Sequence, residues 1–281
     1  MEPKHLTSYP ALTAALGSVD LRGKSVLVTG GGYGIGADIA RSFAARNASH
    51  IILVGRTESK LKATASSLQS ENTRVSFRIA DISSKADVQR LFDSLDVSPD
   101  FLINNAGLLP TPSLFVDDDL DEWWRGFSVN VFGTALVTQT YLRHRRAQHD
   151  AASLSSALIV TINTIGAYSI RQPRLSAYGA SKAALSRWNE LVTSDVPAKE
   201  ARFVSVHPGT VQTDMVVKSE LGDIFPNTEG KLVGEFVTWL TKEDASFLNG
   251  RFVWVNWDIE ELLLKKSDVL DKDLLISSLS Q

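Results

Sequence analysis

Short apolar runs alternate along this chain with stretches of helical pattern, and this alternation constrains the fold more than any other feature. The runs occupy positions 25–29, 50–54, 74–80, 100–104, 157–162, 202–206 and 251–255. All but the last are followed by a helical pattern or by a loop that leads into one. Strands that alternate with helices lie parallel and are joined by right-handed crossovers. The sequence therefore predicts one α/β domain, a doubly wound parallel sheet with helices on both faces.

The two ends of the chain lie outside this alternation. Residues 1–23 form a predicted N-terminal extension, in which Pro3 and Pro10 break any long helix. Residues 24–255 form the predicted main domain. The C-terminal tail, residues 256–281, has apolar residues of its own, so we expect it to pack on the body or on a neighbouring subunit.

A glycine-rich turn follows the first apolar run. The segment Thr29–Gly36 stands between that run and the helical pattern Ala37–Arg46. Glycines let the backbone turn tightly and approach a pyrophosphate, whose charge is met by the amides at the start of the helix. The spacing departs from G-x-G-x-x-G, because Ile35 stands where the third glycine would fall when counting from Gly30. The segment indicates a dinucleotide site, and a simple tight turn is the alternative.

Tyr178 and Lys182 are four residues apart in a segment of helical pattern, which places a phenol and an ammonium on one face. A fixed cation beside a tyrosine stabilises the phenolate and lowers its pKa from about 10. The phenol can then serve as a general acid or base. The alternative is a half-exposed tyrosine on a packed helix, with its lysine in solvent.

Together with Asn104–Gly107 and Pro208–Gly209, these motifs resemble the short-chain dehydrogenase/reductase family. The resemblance covers roughly residues 24–255, and it implies a Rossmann-type fold and association into a homodimer or homotetramer through long central helices. The two ends of the chain look like those of filamentous-fungal members. The family pattern Thr-Gly-x-x-x-Gly-x-Gly is met by Thr29, Gly30, Gly34 and Gly36.

The resemblance also implies a cofactor site. Where an NAD enzyme has an acid after the second strand, this chain has Arg56, whose planar fork can pair with a 2′-phosphate, so NADP(H) is favoured over NADH. An ordinary surface arginine is the alternative. Asp81 matches the aspartate that contacts the adenine ring and can also cap a helix. The predicted cofactor residues are Thr29, Gly30, Gly32, Tyr33, Gly34, Ile35, Gly36, Arg56, Asp81, Ile82, Asn105, Ala106, Gly107, Tyr178, Lys182, Pro208, Gly209, Val211 and Thr213.

The implied catalytic residues are Tyr178, Lys182 and Asn130, together with a substitute for the family's active-site serine. Asn130 lies inside a helical pattern and matches the asparagine that supports a water chain to the lysine; a buried structural asparagine is the alternative. Thr164 keeps a hydroxyl that can donate to a carbonyl oxygen, and it is the predicted substitute. Asn163 and Ser169 are weaker candidates.

The region that the family uses to close over substrate corresponds to residues 213–230, the lid segment. It mixes apolar and polar residues, and Thr213 matches the contact at the nicotinamide end of the cofactor. An amphipathic surface helix is the alternative.

Composition excludes several other classes of function. The chain has no cysteine, and its five histidines are dispersed, so no disulfide, thiolate nucleophile or metal site is predicted. A net charge of −3 gives no basic field for nucleic acid, and the cluster Arg143–Arg146 is interpreted as a solvated helix end. No signal or membrane-spanning pattern is present, so we expect a cytoplasmic protein without a membrane partner.

These observations predict an NADPH-dependent reductase that transfers a hydride to a ketone or aldehyde carbon, with Tyr178 as general acid. The substrate is expected to be an apolar or aromatic small molecule, such as a fungal secondary metabolite. The alternatives are alcohol oxidation, imine or alkene reduction on the same site, a non-catalytic NADPH sensor, and a scaffold for non-redox chemistry.

Overall fold

Seven parallel strands form one sheet in the computed structural model, which describes residues 1–148, 155–168, 172–220, 222 and 224–278. The strands are β1 Ser25–Thr29, β2 His50–Gly55, β3 Arg74–Ile79, β4 Phe101–Asn104, β5 Ala157–Ile162, β6 Ala201–His207 and β7 Arg251–Trp254. Each predicted run corresponds to one strand, with ends that differ by at most one residue. The predicted doubly wound parallel sheet is therefore confirmed.

The strand order is β3-β2-β1-β4-β5-β6-β7, and every neighbouring pair is parallel. The order reverses between β1 and β4, because the chain moves outward to β3 and then returns to the other side of β1. Ligands of such sheets bind beyond the carboxyl ends of the strands, near this reversal. The topology thus places the loops after β1, β4, β5 and β6 around one crevice.

Helices cover both faces of the sheet. Successive strand residues enter different cores, since Val26 packs in one cluster with Phe43 and Leu27 packs in the other with Phe92. The helices are α1 Pro10–Gly17, α2 Gly34–Ala44, α3 Glu58–Leu68, α4 Lys85–Asp93, α5 Leu120–Phe127, α6 Thr134–Gln148, α7 Ser176–Asp195, α8 Asp214–Ser219, α9 Gly230–Trp239, α10 Ile259–Leu264 and α11 Lys266–Asp271. Among the described residues, no helix is both long and apolar enough to span a bilayer.

The N-terminal extension and the tail pack against each other. Helix α1 contacts α9, and its Leu12 is fully buried. The hydroxyl of Tyr9 donates to the carbonyl oxygen of Trp257 at 3.2 Å and accepts from the backbone N–H of Ile259 at 3.0 Å. Leu262 of α10 is also fully buried. Both ends of the chain are therefore part of the main core.

Candidate active site

A cavity of about 1050 Å³ opens at the carboxyl ends of the strands. It brings together most of the residues that the sequence predicted for the site. Those lining it are Gly30, Gly32, Tyr33, Gly34, Ile35, Arg56, Asp81, Ile82, Asn105, Ala106, Gly107, Thr164, Tyr178, Lys182, Pro208, Gly209, Val211 and Thr213. The predicted residues that do not line it are Thr29, Gly36 and Asn130, and each of them supports the wall from behind.

Thr29 fastens the turn after β1 to the turn after β4. Its hydroxyl oxygen accepts from the N–H groups of Asn105 and Ala106, each at 3.0 Å, and donates to the carbonyl oxygen of Ile103 at 3.3 Å. The amide of Asn105 donates in return to the carbonyl oxygens of Thr29 and Gly30, at 3.0 and 3.1 Å. With only 1% of its surface exposed, Thr29 supports the two turns structurally.

The glycines of the first turn have two separate functions. Gly30 and Gly34 adopt φ values of 66° and 55°, which side chains rarely tolerate, so these positions require glycine for the bend itself. At Gly36 a Cβ atom would lie 2.3 Å from the carbonyl oxygen of Gly30, so this position requires glycine for close packing. The backbone of this glycine-rich loop therefore faces the cavity beside the start of α2. This arrangement fits the pyrophosphate of a dinucleotide.

Cations lie where the adenosine end of such a ligand would bind. The Nη1 atom of Arg56 is 3.8 Å from a carboxylate oxygen of Asp81. Lys60, which the sequence analysis did not single out, also lines the cavity, and its Nζ lies 3.7 Å from the ring centroid of Tyr33. Its position in the first turn of α3, four residues after Arg56, was a signal available from the sequence. Two cations thus stand at this end of the site.

Helix α7 presents Tyr178 and Lys182 to the cavity. The Nζ of Lys182 lies 5.9 Å from the centroid of the Tyr178 ring and donates to the carbonyl oxygen of Ile162 at 2.9 Å. Burial lowers the pKa of Lys182 to about 8 and raises the pKa of Tyr178 to about 12. The expected lowering of the tyrosine pKa by the lysine is therefore wrong for this arrangement, because desolvation of the phenol dominates.

Asn130 lies in a short π-helical stretch, Ser128–Gly133, between α5 and α6. Its Oδ1 accepts from the N–H of Leu108 at 2.7 Å, and its Nδ2 donates to the carbonyl oxygen of Leu108 at 2.9 Å and to Oγ of Ser181 at 2.9 Å. A Cβ atom added at Gly107 would lie 3.4 Å from this Oδ1 and 3.6 Å from Nζ of Lys182. The predicted relay residue and the lysine therefore flank the same small space.

In the loop after β5, two of the candidates to replace the family's active-site serine have different contacts. Thr164 lines the cavity, and its Oγ1 accepts from the N–H of Gly166 at 3.2 Å, which leaves the hydroxyl proton free to donate. Asn163 also lines the cavity, but the residue is 3% exposed, and its Nδ2 donates to Oγ of Ser186 at 2.7 Å and to Oγ of Ser205 at 3.1 Å. Asn163 thus acts as an anchor of the loop. Ser169, the third candidate, lies outside the described residues.

His207 is a functional candidate that the sequence analysis missed. It ends β6 directly before Pro208, lines the cavity, and its Nδ1 accepts from the N–H of Ile165 at 3.3 Å. Burial lowers the pKa of His207 to about 3, so the ring is neutral near pH 7. Its place at the end of an apolar run, directly before Pro208, was a signal available from the sequence.

The lid segment contributes α8 and the loop that follows, with positions 221 and 223 outside the described residues. The hydroxyl of Tyr178 lies 3.6 Å from the Sδ atom of Met215. Lys218 donates from Nζ to the carbonyl oxygen of Leu109 at 2.8 Å, and Arg174 pairs with Glu220 at 2.9 Å. The lid segment therefore touches both the predicted proton donor and the opposite wall.

Three residues of the N-terminal extension also line the cavity, namely Pro3, Lys4 and Leu6. No sequence signal pointed to them, because their position depends on contacts with residues more than two hundred positions away. No group of three or more histidine and acidic side chains suited to a metal ion occurs among the described residues.

Comparisons with known proteins agree with this arrangement. The family model described as short chain dehydrogenase matches residues 24–223. The short chain dehydrogenase mpl6 of Monascus purpureus is 30% identical over 289 residues, which cover 96% of this chain and 93% of the relative. Because this relative comes from a fungus, the predicted resemblance to filamentous-fungal members is confirmed.

Solved structures share the fold. A short chain dehydrogenase from Burkholderia cenocepacia in complex with NADP has a TM-score of 0.74 at 25% identity, over 83% of this chain and 96% of that one. A 3-ketoacyl-(acyl-carrier-protein) reductase from Brucella melitensis complexed with NADH has a TM-score of 0.73 at 24% identity, over 84% of this chain and 98% of that one. With the family model, the fungal relative and the fold in agreement, the chain belongs to the short chain dehydrogenase family, whose members are oxidoreductases that use a nicotinamide cofactor.

Proposed function

We propose that this chain is an NADPH-dependent reductase that transfers a hydride to the carbonyl carbon of a ketone or aldehyde on an apolar or aromatic small molecule. The observation that carries the proposal is that Tyr178 lines the same cavity as the glycine turn after β1, with Lys182 one helical turn away. A phenol whose pKa is about 12 stays protonated near pH 7 and can donate to a developing alkoxide.

When bound, the nicotinamide cofactor supplies the hydride and with it both electrons. The reduction forms a C–H bond from the hydride and an O–H bond from the Tyr178 proton, so the carbonyl becomes an alcohol. Thr164 is suited to polarise the carbonyl, because its Oγ1 accepts from the N–H of Gly166 and its hydroxyl proton has no acceptor among the described residues of the loop. The Lys182 ammonium is suited to stabilise the resulting phenolate and to hold the cofactor ribose, and Asn130 to support the return of a proton from solvent.

The preference for NADPH is supported by charge. Arg56 and Lys60 both line the cavity beyond β2, where a 2′-phosphate would need cations. Arg56 already faces the Asp81 carboxylate at 3.8 Å, so part of its charge is offset. The Burkholderia cenocepacia relative in complex with NADP is consistent with this choice.

The apolar character of the substrate is supported by the other end of the cavity. Side chains of Tyr168, Leu175, Val216, Phe225 and Trp254 line it there. Such walls favour a ligand that buries apolar or aromatic surface. The fungal relative agrees with a fungal secondary metabolite as substrate.

The direct test is consumption of NADPH in the presence of a panel of ketones and aldehydes, with the alcohol product quantified against the NADPH consumed. We expect one alcohol per NADPH. Tight NADPH binding with no turnover of any carbonyl, imine or activated alkene would favour a sensor, and conversion of a compound without NADPH consumption would favour non-redox chemistry.

A further inference from the structure

Residues 3–6, which we name the N-terminal wall, form a side of the cavity that lies outside the part of the chain matched by the family model. Asn256, just after β7, holds this wall from two directions. Its backbone oxygen accepts from the N–H groups of Lys4 and His5 at 2.8 and 3.1 Å, and its Nδ2 donates to the carbonyl oxygen of His5 at 2.7 Å. The wall is thereby fixed to the edge of the sheet.

The same network reaches the lid segment and the loop after β6. The carbonyl oxygen of Leu6 accepts from the N–H of Glu229 at 2.8 Å, and the N–H of Thr228 donates to the carbonyl oxygen of Thr210 at 2.7 Å. Asn256 also donates to Oγ1 of Thr228 at 3.0 Å. The N-terminal wall, the end of the lid segment and the loop after β6 therefore lie side by side.

A stacked pair anchors the wall to the core. The ring of His5 stacks on that of Tyr9 with centroids 3.6 Å apart, and its Nε2 lies 2.9 Å from a carboxylate oxygen of Asp258. Tyr9 is buried, whereas Leu6 is 40% exposed. An apolar side chain fixed at a cavity, with its neighbouring backbone already hydrogen-bonded, is suited to cover apolar ligand surface.

The topology decides which part of a ligand Leu6 would meet. Arg56 and Asp81 follow β2 and β3, at one edge of the sheet. The backbone that carries Leu6 is hydrogen-bonded through Lys4 and His5 to Asn256, which follows β7 at the opposite edge. Leu6 therefore lies far from the adenosine end and beside the loop that carries Pro208. An apolar side chain there offers no donor to a phosphate, so it fits the substrate.

We propose that Leu6, held in the N-terminal wall, is a specificity-determining contact for the apolar part of the substrate. This inference rests on the proposed function, because that function defines the substrate. It adds to the site a residue that lies outside the part of the chain matched by the family model. Fused-ring ketones, which are large and apolar, are the class that would use this contact most.

The test compares Leu6→Ala with Leu264→Ala, which changes an 83% exposed leucine of α10 that does not line the cavity. Steady-state kinetics with NADPH use cyclohexanone, 1-tetralone and anthrone. For Leu6→Ala we expect the KM of the two fused-ring ketones to rise by about tenfold, because the variant loses an apolar contact with them. The KM of cyclohexanone should change less. We expect kcat and the Kd of NADPH to change by less than about twofold, because Leu6 meets neither the reacting atoms nor the cofactor. Leu264→Ala should match the unchanged protein.

A second measurement does not depend on turnover. The apolar aromatic probe anilinonaphthalene sulfonate is titrated into each protein in the presence of saturating NADP⁺, and its binding is measured. We expect binding to be about tenfold weaker for Leu6→Ala than for Leu264→Ala. If no ketone is reduced by the unchanged protein, the reductase proposal fails, while this titration still tests the wall. Equal binding by both variants, no probe binding at all, or a loss of NADPH affinity that parallels the rise in KM would overturn the inference.

Discussion

The ammonium group of Lys182 donates a hydrogen bond to the carbonyl oxygen of Ile162, 2.9 Å away at the carboxyl end of β5. One acceptor does not replace the water that a charged lysine loses on burial, and the pKa of Lys182 falls to about 8. The cation that the site needs is therefore held in a place where it can lose its proton at mildly alkaline pH.

This relationship predicts the pH dependence of NADPH use. Because the pKa of Lys182 is lowered, the ammonium is present below pH about 8 and is lost above it. We expect kcat/KM for NADPH to fall by about tenfold per pH unit above that value, since this parameter reports groups of the unliganded enzyme. Tyr178, with a pKa of about 12, remains protonated over the same range. In Lys182→Arg the side chain stays charged above pH 8, so this variant should not show the decline in kcat/KM, even if its overall rate is lower. A kcat/KM of the unchanged protein that stays constant up to about pH 10 would contradict the assignment of the decline to Lys182.

Replacement of the proton donor should separate chemistry from binding. Tyr178→Phe removes one hydroxyl group, so we expect kcat to fall by more than the 10²–10³-fold that is typical of losing one preorganised donor, with NADPH affinity nearly unchanged. Tyr168→Phe is the matched control, because Tyr168 lines the same cavity but its hydroxyl contacts Glu190 at 3.2 Å. Single-turnover rates and NADPH titrations of both variants measure the difference. Equal activity of the two variants would remove the basis for a tyrosine acid.

Thr164 should act through its hydroxyl and not through its shape. Thr164→Ser keeps the donor and should keep most of kcat, whereas Thr164→Val, similar in shape, should lose about 10²–10³-fold. Valine also removes the hydrogen bond that Oγ1 accepts from the N–H of Gly166. Thermal unfolding of both variants shows whether this loss affects stability. Full activity of a folded Thr164→Val protein would show that another residue of this loop polarises the carbonyl.

Arg56 should set the choice of cofactor. Arg56→Asp replaces a cation by an anion near the expected 2′-phosphate, so NADPH binding should weaken by roughly tenfold to a hundredfold while NADH binding weakens little. Lys62→Asp is the control, because Lys62 is an exposed residue of α3 that does not line the cavity. Fluorescence titration of both cofactors measures the Kd values. Equal or tighter binding of NADH by the unchanged protein would refute the preference.

The lid segment should exchange its amide hydrogens quickly before ligands bind. Met215 contacts the Tyr178 hydroxyl at 3.6 Å, so a carbonyl oxygen that takes a proton from this hydroxyl must displace the methionine. We expect fast exchange over residues 213–230 in the protein alone and protection once cofactor and substrate are bound. Hydrogen exchange with mass spectrometry measures this, with α7 as the internal reference. Uniform protection in both states would mean a rigid wall.

The sheet could be predicted from the sequence because each strand is a local apolar run between helical patterns. Because parallel strands end at the same edge, Arg56 and Pro208, which follow two of them, could be expected at one crevice. Thr164 could be predicted only from the resemblance to the family. The pKa of Tyr178 could not be predicted in the same way, because it depends on how deeply the phenol is buried relative to its distance from Lys182. Nor could the position of Leu6 at the cavity, because it depends on hydrogen bonds from Lys4 and His5 to Asn256 and from Glu229 to Leu6, which join parts of the chain that no local pattern connects.

The contact between Tyr9 and Ile259 spans 250 residues and has a consequence for the timing of folding. Synthesis proceeds from the N-terminus, so residues 3–9 leave the ribosome long before β7 and Asn256 exist to receive them. Contacts so distant along the chain form late and slow the approach to the native state. A nascent chain can therefore build β1 to β6 and the glycine turn while its cavity still lacks one side. The binding site becomes complete only when residues 256–259 have been synthesised and dock against residues 4–9.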